Sequence, residues 1–236
     1  MKAYIKQIAY YLPEISISNE KLIEEFPEWT VGKIASKVGV NNRHVAGEQE
    51  TASDMAVAAA NNLFTVDSDI RREDIDFVLF CTQSPDYFLP TSACLIQDRL
   101  GLRTNIGAID FNLGCSGYVY GLAIAKGLIT GRIAKNVLLL TAETYSKYLH
   151  PRDKGNRTIF GDASSASVIS TDGFVEIGEF SLGTDGKGAD NLIVRTGASR
   201  KKEAENDLSF YENGNPVSSD YLYMDGTEIF LSLIHI

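Results

Sequence analysis

The stretch AIDFNLGCSGYVYG, residues 108–121, decides the fold. It begins in an apolar run, passes through a short turn and continues into an apolar segment that contains glycine. We predict a buried strand over Ile106–Phe111 and a helix over Cys115–Thr130, which places Cys115 in the first turn of that helix. A strand that leads directly into a helix is the repeating unit of a layered α/β fold.

The same alternation continues on both sides of this stretch. Continuous apolar runs such as FVLFCT (77–82) predict strands that are buried on both faces. The pattern as a whole predicts a layered α/β fold in which helices flank a mixed, largely parallel sheet. The other predicted strands are Ile5–Leu12, Val137–Ala142, Ala166–Ser170 and Val175–Leu182, and the other predicted helices are Asn19–Phe26 with Asn19 as N-cap, Val31–Val38, Asp54–Phe64 and Thr91–Leu100.

Composition limits the function classes. The 236 residues are 44% hydrophobic and 22% charged, which is ordinary for a globular protein with a core. There are 22 basic and 31 acidic residues, so the net charge is 22 − 31 = −9. This balance disfavours nucleic acids and anionic membrane surfaces as partners. No run of 18 apolar residues and no signal peptide is present, so we predict no membrane span and a cytoplasmic location.

Cys81, Cys94 and Cys115 are the cysteines of the chain. Their odd number predicts no disulfide framework, and their spacing matches no zinc pattern, so we expect a reducing compartment and no metal. A helix N-terminus favours the thiolate form, which makes Cys115 a candidate nucleophile, although a buried structural cysteine remains an alternative. Cys81 and Cys94 are interpreted as core residues, and Gly117 and Gly121 as positions of close packing.

Several segments resemble, in the same order along the chain, beta-ketoacyl-ACP synthase III, a thiolase-fold condensing enzyme. The stretch around Cys115 resembles the active-site segment of that family. The other matching segments are YLPEISISNEKL (11–22), KVGVNNRH (37–44), LPTSACLIQ (89–97), HPRDKG (150–155), IFGDASSA (159–166) and MDGTEIF (224–230). The resemblance implies a thiolase-like fold, here its N-terminal half, and a homodimer.

The resemblance also implies a reaction. The nucleophilic cysteine takes an acyl group from acyl-CoA as a thioester. Malonyl-ACP then loses CO2, and its carbanion attacks the thioester to give 3-oxoacyl-ACP. The implied protein is therefore an acyltransferase of fatty-acid or related acyl-chain synthesis that uses acyl carrier protein and acyl-CoA and needs no cofactor. The family's histidine and asparagine, which stabilise the enolate, match no residue of this sequence.

Site residues carry over individually. Cys115 matches the nucleophile, and Leu89 stands where many members have a phenylalanine that lines the acyl pocket across the dimer. Lys154 stands where the family has an arginine at the entrance of the CoA site. Lys37 is the first residue of KVGVNNRH, the segment that resembles the family's turn ending in Arg-His. Trp29 resembles the tryptophan that stacks on the CoA adenine, and a surface or core tryptophan is its alternative interpretation.

The predicted organisation has four parts. Residues 1–182 form the thiolase-like half with the nucleophile, 183–222 form a loop or insertion, 223–230 begin a truncated C-terminal half, and 231–236 are interpreted as a non-native end. Two alternatives stay open. One is another cysteine-dependent thiolase-fold enzyme, such as a hydroxymethylglutaryl-CoA synthase-like protein. The other is a catalytically inert truncated chain, and we expect the 236 residues alone to be inactive.

Overall fold

The computed structural model describes residues 1–66 and 70–229. The predicted non-native end, 231–236, lies outside these residues. The helices are α1 (Asn19–Glu25), α2 (Val31–Val38), α3 (Ala52–Val66), α4 (Ser92–Arg99), α5 (Gly117–Thr130) and α6 (Lys154–Ile159). The strands are β1 (Tyr4–Tyr11), β2 (Ile15–Ser18), β3 (Asn42–Val45), β4 (Phe77–Cys81), β5 (Gly107–Phe111), β6 (Asn136–Glu143), β7 (Ala163–Ser170), β8 (Val175–Glu176), β9 (Leu192–Ile193), β10 (Ser209–Phe210), β11 (Pro216–Val217) and β12 (Tyr223–Met224).

The chain divides into two compact units that do not follow its order. The first unit contains Met1–Ser16, His44–Thr144 and Asp162–Leu182. The second unit contains Ile17–Arg43, Tyr145–Gly161 and the chain from Gly183 onward. The predicted boundaries after residues 182, 222 and 230 stay predictions.

A six-stranded sheet in the order β5-β4-β6-β7-β1-β8 forms the centre of the first unit. Strand β4 pairs in parallel with β5 and β6, while the pairs β6–β7, β7–β1 and β1–β8 are antiparallel. The sheet is mixed, as predicted, but the expectation that it is largely parallel is wrong. The parallel pairs are those of β4, β5 and β6, whose connections along the chain run through the crossover helices α4 and α5. The order and direction of the remaining strands cannot be deduced from the local sequence pattern.

The continuous apolar runs are explained by burial of both faces of this sheet. Val78 and Phe80 pack with α3 and α4 in one core, and Leu79 packs with α5 in a second core on the opposite face. Successive side chains of a strand point to opposite faces, so a strand between two helical layers is apolar at every position. The helices therefore flank the sheet as the sequence predicts.

Three predictions in this unit need correction. The strand predicted as buried at Ile106–Phe111 is the edge strand β5 and is mostly half-buried, with Ile109 43% exposed, because β4 is its only pairing partner among the described residues. The strand predicted over Val175–Leu182 has only the two residues of β8. Cys94 is exposed, because α4 turns Ala93 and Ile96 toward the core instead. Cys81 is buried, as predicted.

The second unit has a small apolar core of Leu22, Phe26 and Ile34 from α1 and α2. The predicted N-cap at Asn19 is wrong, because the Ser18 hydroxyl accepts from the Lys21 amide. Asn19 is buried and accepts a hydrogen bond from Arg43. Later in the unit, β9 pairs with β12 and β10 pairs with β11.

Within the described residues, no helix is long and apolar enough to cross a membrane.

Candidate active site

The candidate site lies where three parallel strands end together. Strands β4, β5 and β6 are neighbours, with Cys81 opposite both Phe111 and Thr141. The carboxyl ends of parallel strands meet at the same edge of a sheet, which is where open α/β proteins place their sites. The chain leaving β5 there forms the turn of residues 112–116, called here the nucleophile turn.

Cys115 is exposed on the nucleophile turn. Helix α5 begins at Gly117, with Ser116 as N-cap, so Cys115 stands two residues before the helix and not in its first turn as predicted. The delay arises because the Gly117 amide donates to the Gly114 carbonyl at 2.8 Å and closes a turn first. Cys115 still lies between the carboxyl end of β5 and the positive end of α5.

Cys81, the last residue of β4, contacts the nucleophile turn through its thiol. Its thiol donates to the Leu113 carbonyl at 3.2 Å. A Cβ built on the buried Gly117 would overlap the Cys81 Sγ, and one on Gly121 would lie 2.6 Å from a Leu139 methyl carbon. The packing interpretation of both glycines is therefore confirmed. Burial raises the pKa of the Cys81 thiol to about 11, so it stays protonated near neutral pH.

Glu143, at the end of β6, is a half-buried acid that sequence reasoning missed. Its carboxylate accepts from the Gln83 amide at 2.9 and 3.1 Å and from the Ser84 hydroxyl at 3.0 Å. Gln83 in turn donates from Nε2 to the Asn112 side chain at 3.0 Å, which reaches the nucleophile turn. Burial raises the pKa of Glu143 to about 7, and the charge of Asp162 acts in the same direction. The sequence signal that could have identified Glu143 is an acidic residue directly after the apolar run VLLLTA.

Leu89 lies in the same unit, in the segment before α4. It is 86% exposed, and its neighbour Phe88 is 80% exposed. The Asp110 carboxylate on β5 accepts from the Ser92 and Ala93 amides at 2.6 and 2.7 Å. These bonds attach the start of α4 to the edge strand, so the exposed apolar side chains and the open edge of β5 belong to one region.

The second unit brings two of the other predicted residues together. Lys154 begins α6, and its ammonium donates to Glu28 and to the Asn213 carbonyl, both at 2.7 Å. Trp29, next to Glu28, is half-buried against the core of α1 and α2, and Lys33 stands 4.8 Å from its ring centroid. Both interpretations of this tryptophan therefore stay open.

Lys37 is exposed on α2. A cavity of about 190 Å³ also lies in the second unit, lined among others by Asn156 and Ile159 of α6 and by Tyr211. Within the predicted loop or insertion of 183–222, residues 200–214 are exposed and residues 215–219 are half-buried.

Two histidines are described, and backbone atoms engage both. His44 Nδ1 lies 2.6 Å from the Pro13 carbonyl, and His150 Nδ1 accepts from the Arg152 amide at 3.1 Å. Burial lowers the pKa of His150. Among residues 1–66 and 70–229, no group of three or more histidine, cysteine or acidic side chains is arranged to hold a metal ion.

The helical layers on both faces of a mixed sheet, with an exposed cysteine between a strand end and a helix, define a layered α/β protein with a candidate thiol nucleophile. The family model of 3-oxoacyl-[acyl-carrier-protein] synthase III matches residues 109–186, which include the nucleophile turn. A crystal structure of a 3-oxoacyl-(acyl-carrier-protein) synthase III is 47% identical and superimposes with a TM-score of 0.96, covering 100% of this chain and 71% of the other.

Two sequence relatives agree. The putative 3-oxoacyl-[acyl-carrier-protein] synthase 3 of Campylobacter jejuni is 36% identical over 97% of this chain and 65% of its own length. The beta-ketoacyl-[acyl-carrier-protein] synthase III of Clostridioides difficile is 38% identical over 86% of this chain and 61% of its own length. The chain belongs to the 3-oxoacyl-[acyl-carrier-protein] synthase III family. It spans less than two thirds of the length of these two relatives.

Proposed function

We propose that the protein carrying this chain condenses an acyl-CoA with malonyl-ACP to give 3-oxoacyl-ACP, with Cys115 as the nucleophile. The observation that carries the proposal is the exposed Cys115 thiol on the nucleophile turn, between the carboxyl end of β5 and the start of α5. A thiol in this position is accessible to substrate, and the amides at the start of a helix favour developing negative charge.

The reaction has two chemical stages. In the first, the Cys115 thiolate attacks the acyl-CoA carbonyl carbon; the new carbon–sulfur bond forms as the bond to CoA breaks, and CoA leaves and takes up a proton. In the second, malonyl-ACP releases CO2 and becomes an enolate. Its carbon attacks the Cys115 thioester, and the thiolate is released as 3-oxoacyl-ACP forms. Donors that hold the thioester oxygen lower both barriers, and the proposed reaction uses no metal or redox cofactor.

The test is acylation of Cys115 by acetyl-CoA in the protein expressed from its complete gene. Intact-mass spectrometry should find one acetyl group, which hydroxylamine removes as expected for a thioester. Cys115→Ala should abolish the label. Cys94→Ala is the matched control, because Cys94 is also exposed but lies on α4. Equal labelling of the Cys115→Ala protein would overturn the proposal.

The decarboxylation stage needs enolate-stabilising groups. His44 and His150 are engaged by backbone atoms, and neither matches the family's motif. We therefore expect residues 1–230 expressed alone to show no condensation above background, while the complete gene product turns over. General acid–base and oxyanion groups each contribute about 10²–10⁴-fold, so the difference should span many orders of magnitude. Comparable turnover of the two proteins would contradict the mechanism.

The proposal includes a homodimer formed at the open edge of β5. An unpaired strand edge tends to pair with another chain, and the exposed Phe88 and Leu89 supply apolar surface in the same region. Leu89 of one protomer would then reach the acyl site of its partner. Trp29, Lys37 and Lys154 are proposed as contacts for the CoA part of the donor. None of the three cysteines is paired, which supports a cytoplasmic location.

A further inference from the structure

We propose that Glu143 is a positioning residue that holds the nucleophile turn in place through Gln83 and Asn112. The inference rests on the proposed role of Cys115 as the nucleophile. It concerns three side chains that lie at the carboxyl ends of three adjacent strands. Glu143 ends β6, Gln83 follows β4, and Asn112 follows β5.

The first step is the attachment of the β4 end to β6. Both Glu143 carboxylate oxygens accept from the Gln83 amide, at 2.9 and 3.1 Å. One of them also accepts from the Ser84 hydroxyl at 3.0 Å, and that hydroxyl accepts from the Thr144 amide at 2.9 Å. These bonds hold the backbone of Gln83 in place, and because the carboxyl is half-buried, water competes for it less than it would at an exposed site.

The second step carries this position to the nucleophile turn. The Gln83 side chain donates to the Asn112 side chain at 3.0 Å. Asn112 is the first residue of the turn, three residues before Cys115. The thiol of Cys81 holds Leu113, the next residue, at 3.2 Å. The Gln83 and Cys81 side chains thus both attach the turn to the β4 end, and Glu143 acts on the attachment through Gln83.

The consequence for reaction is geometric. A nucleophile must sit about 3 Å from its carbonyl target in the right direction, and a displacement of about 1 Å can cost about 100-fold in rate. Without the Glu143 carboxyl, the Gln83 amide loses its acceptor and the 82–84 segment shifts to find another. The bond to Asn112 then weakens, and the nucleophile turn samples positions in which the thiol is poorly placed. Substrate binding elsewhere is unaffected.

The experiment measures two rates at Cys115 in the protein expressed from its complete gene. One is acylation by acetyl-CoA in a single turnover, and the other is alkylation by iodoacetamide, followed on the Cys115 peptide. Glu143→Ala should slow acylation about 10- to 100-fold, with the Kd for acetyl-CoA within about twofold of wild type. Glu143→Gln retains an oxygen for the Gln83 amide and should restore the acylation rate to within about threefold. Glu179→Ala, at an exposed site, is the control for loss of a glutamate.

A double-mutant cycle separates positioning from general loss of structure. Asn112→Ala breaks the attachment without changing the Glu143 carboxyl, so Glu143→Ala combined with Asn112→Ala should be no slower than Glu143→Ala alone. If Glu143→Ala fails to fold, Glu143→Asp replaces it in the cycle, because its shorter side chain falls short of the Gln83 amide. Acylation by Glu143→Ala or by Asn112→Ala at a rate within twofold of wild type, or effects of the two that multiply, would overturn the inference.

The two proposals fail in different ways. If the wild-type Cys115 reacts with iodoacetamide but not with acetyl-CoA, the proposed function is wrong. The alkylation rates in the same cycle still decide whether Glu143 positions the turn. If acylation occurs but the cycle shows independent effects, the proposed function stands and the positioning role is wrong.

Discussion

Replacing Gly117 by alanine tests the contact beneath the nucleophile turn most directly. The added Cβ would overlap the Sγ of the buried Cys81. Overpacking in a close-packed core costs about 1–3 kcal/mol, while alanine is favoured over glycine in a helix by at most about 1 kcal/mol. We therefore expect Gly117→Ala to lower the free energy of unfolding by about 1–2 kcal/mol.

The second variant, Cys81→Ala, removes the Sγ atom that the added Cβ would overlap. Cys81→Ala alone should cost about 1 kcal/mol, through lost contacts and the lost hydrogen bond to Leu113. In that background the Sγ is gone, so Gly117→Ala should be neutral or stabilising by up to about 1 kcal/mol. The two substitutions should thus compensate, with a coupling energy of about 1–3 kcal/mol.

The assay is urea unfolding of the four proteins, with the dependence on urea concentration checked to be equal among them. Gly127→Ala is the matched control on the same helix, because no atom of the described residues lies within 4 Å of a Cβ built there. It should stabilise by up to about 1 kcal/mol. Effects of Gly117→Ala and Cys81→Ala that add to within about 0.5 kcal/mol would refute the argument.

Three further predictions follow from charge and exposure. Burial raises the pKa of Glu143 to about 7, so the folded state binds more protons than the unfolded state between about pH 4.5 and 7, and stability falls as the pH rises through that window. Urea unfolding at several pH values should show Glu143→Gln gaining about 1–3 kcal/mol over wild type from pH 5 to pH 8, and parallel pH profiles would contradict this. Leu89→Asp should shift the complete protein toward monomer in sedimentation velocity, because it puts a charge into the proposed apolar interface, whereas an unchanged dimer would exclude Leu89 from it. Glu28→Gln removes the carboxylate that holds the Lys154 ammonium at 2.7 Å and should lower the KM for acyl-CoA severalfold, while Lys154→Ala should raise it; kinetics in which neither KM moves would show that Lys154 does not contact the donor.

Most of the secondary structure was predictable because its signals are local. Helix α2 occupies Val31–Val38 as predicted, and α4 lies within one residue of its predicted ends. The position of Cys115 between a strand and a helix also followed from the residues on either side of it. Its exact relation to the helix did not, because the bond from the Gly117 amide to Gly114 delays the helix start.

The hydrogen-bond network of the candidate site was harder to predict from the sequence. Nothing in the sequence near Glu143 indicates that it accepts from Gln83, 60 residues earlier in the chain. The exposure of Cys94 likewise depends on which face of α4 meets the sheet. Lys154 matched a family position, but its ion pair with Glu28 joins residues 126 positions apart. Each of these facts depends on a partner that is distant in sequence.

The sequence by itself determined the alternation of strands and helices, the burial of the central strands and the place of Cys115 after a strand, since hydrophobic periodicity and turn residues act over a few neighbours. Only the tertiary structure decided that β5 is an edge strand, that three of the five strand pairings are antiparallel, and that the ends of β4, β5 and β6 bring Cys81, Gln83, Asn112 and Glu143 together. Strand order and side-chain pairing arise from contacts between distant segments, and those contacts form only when the chain packs.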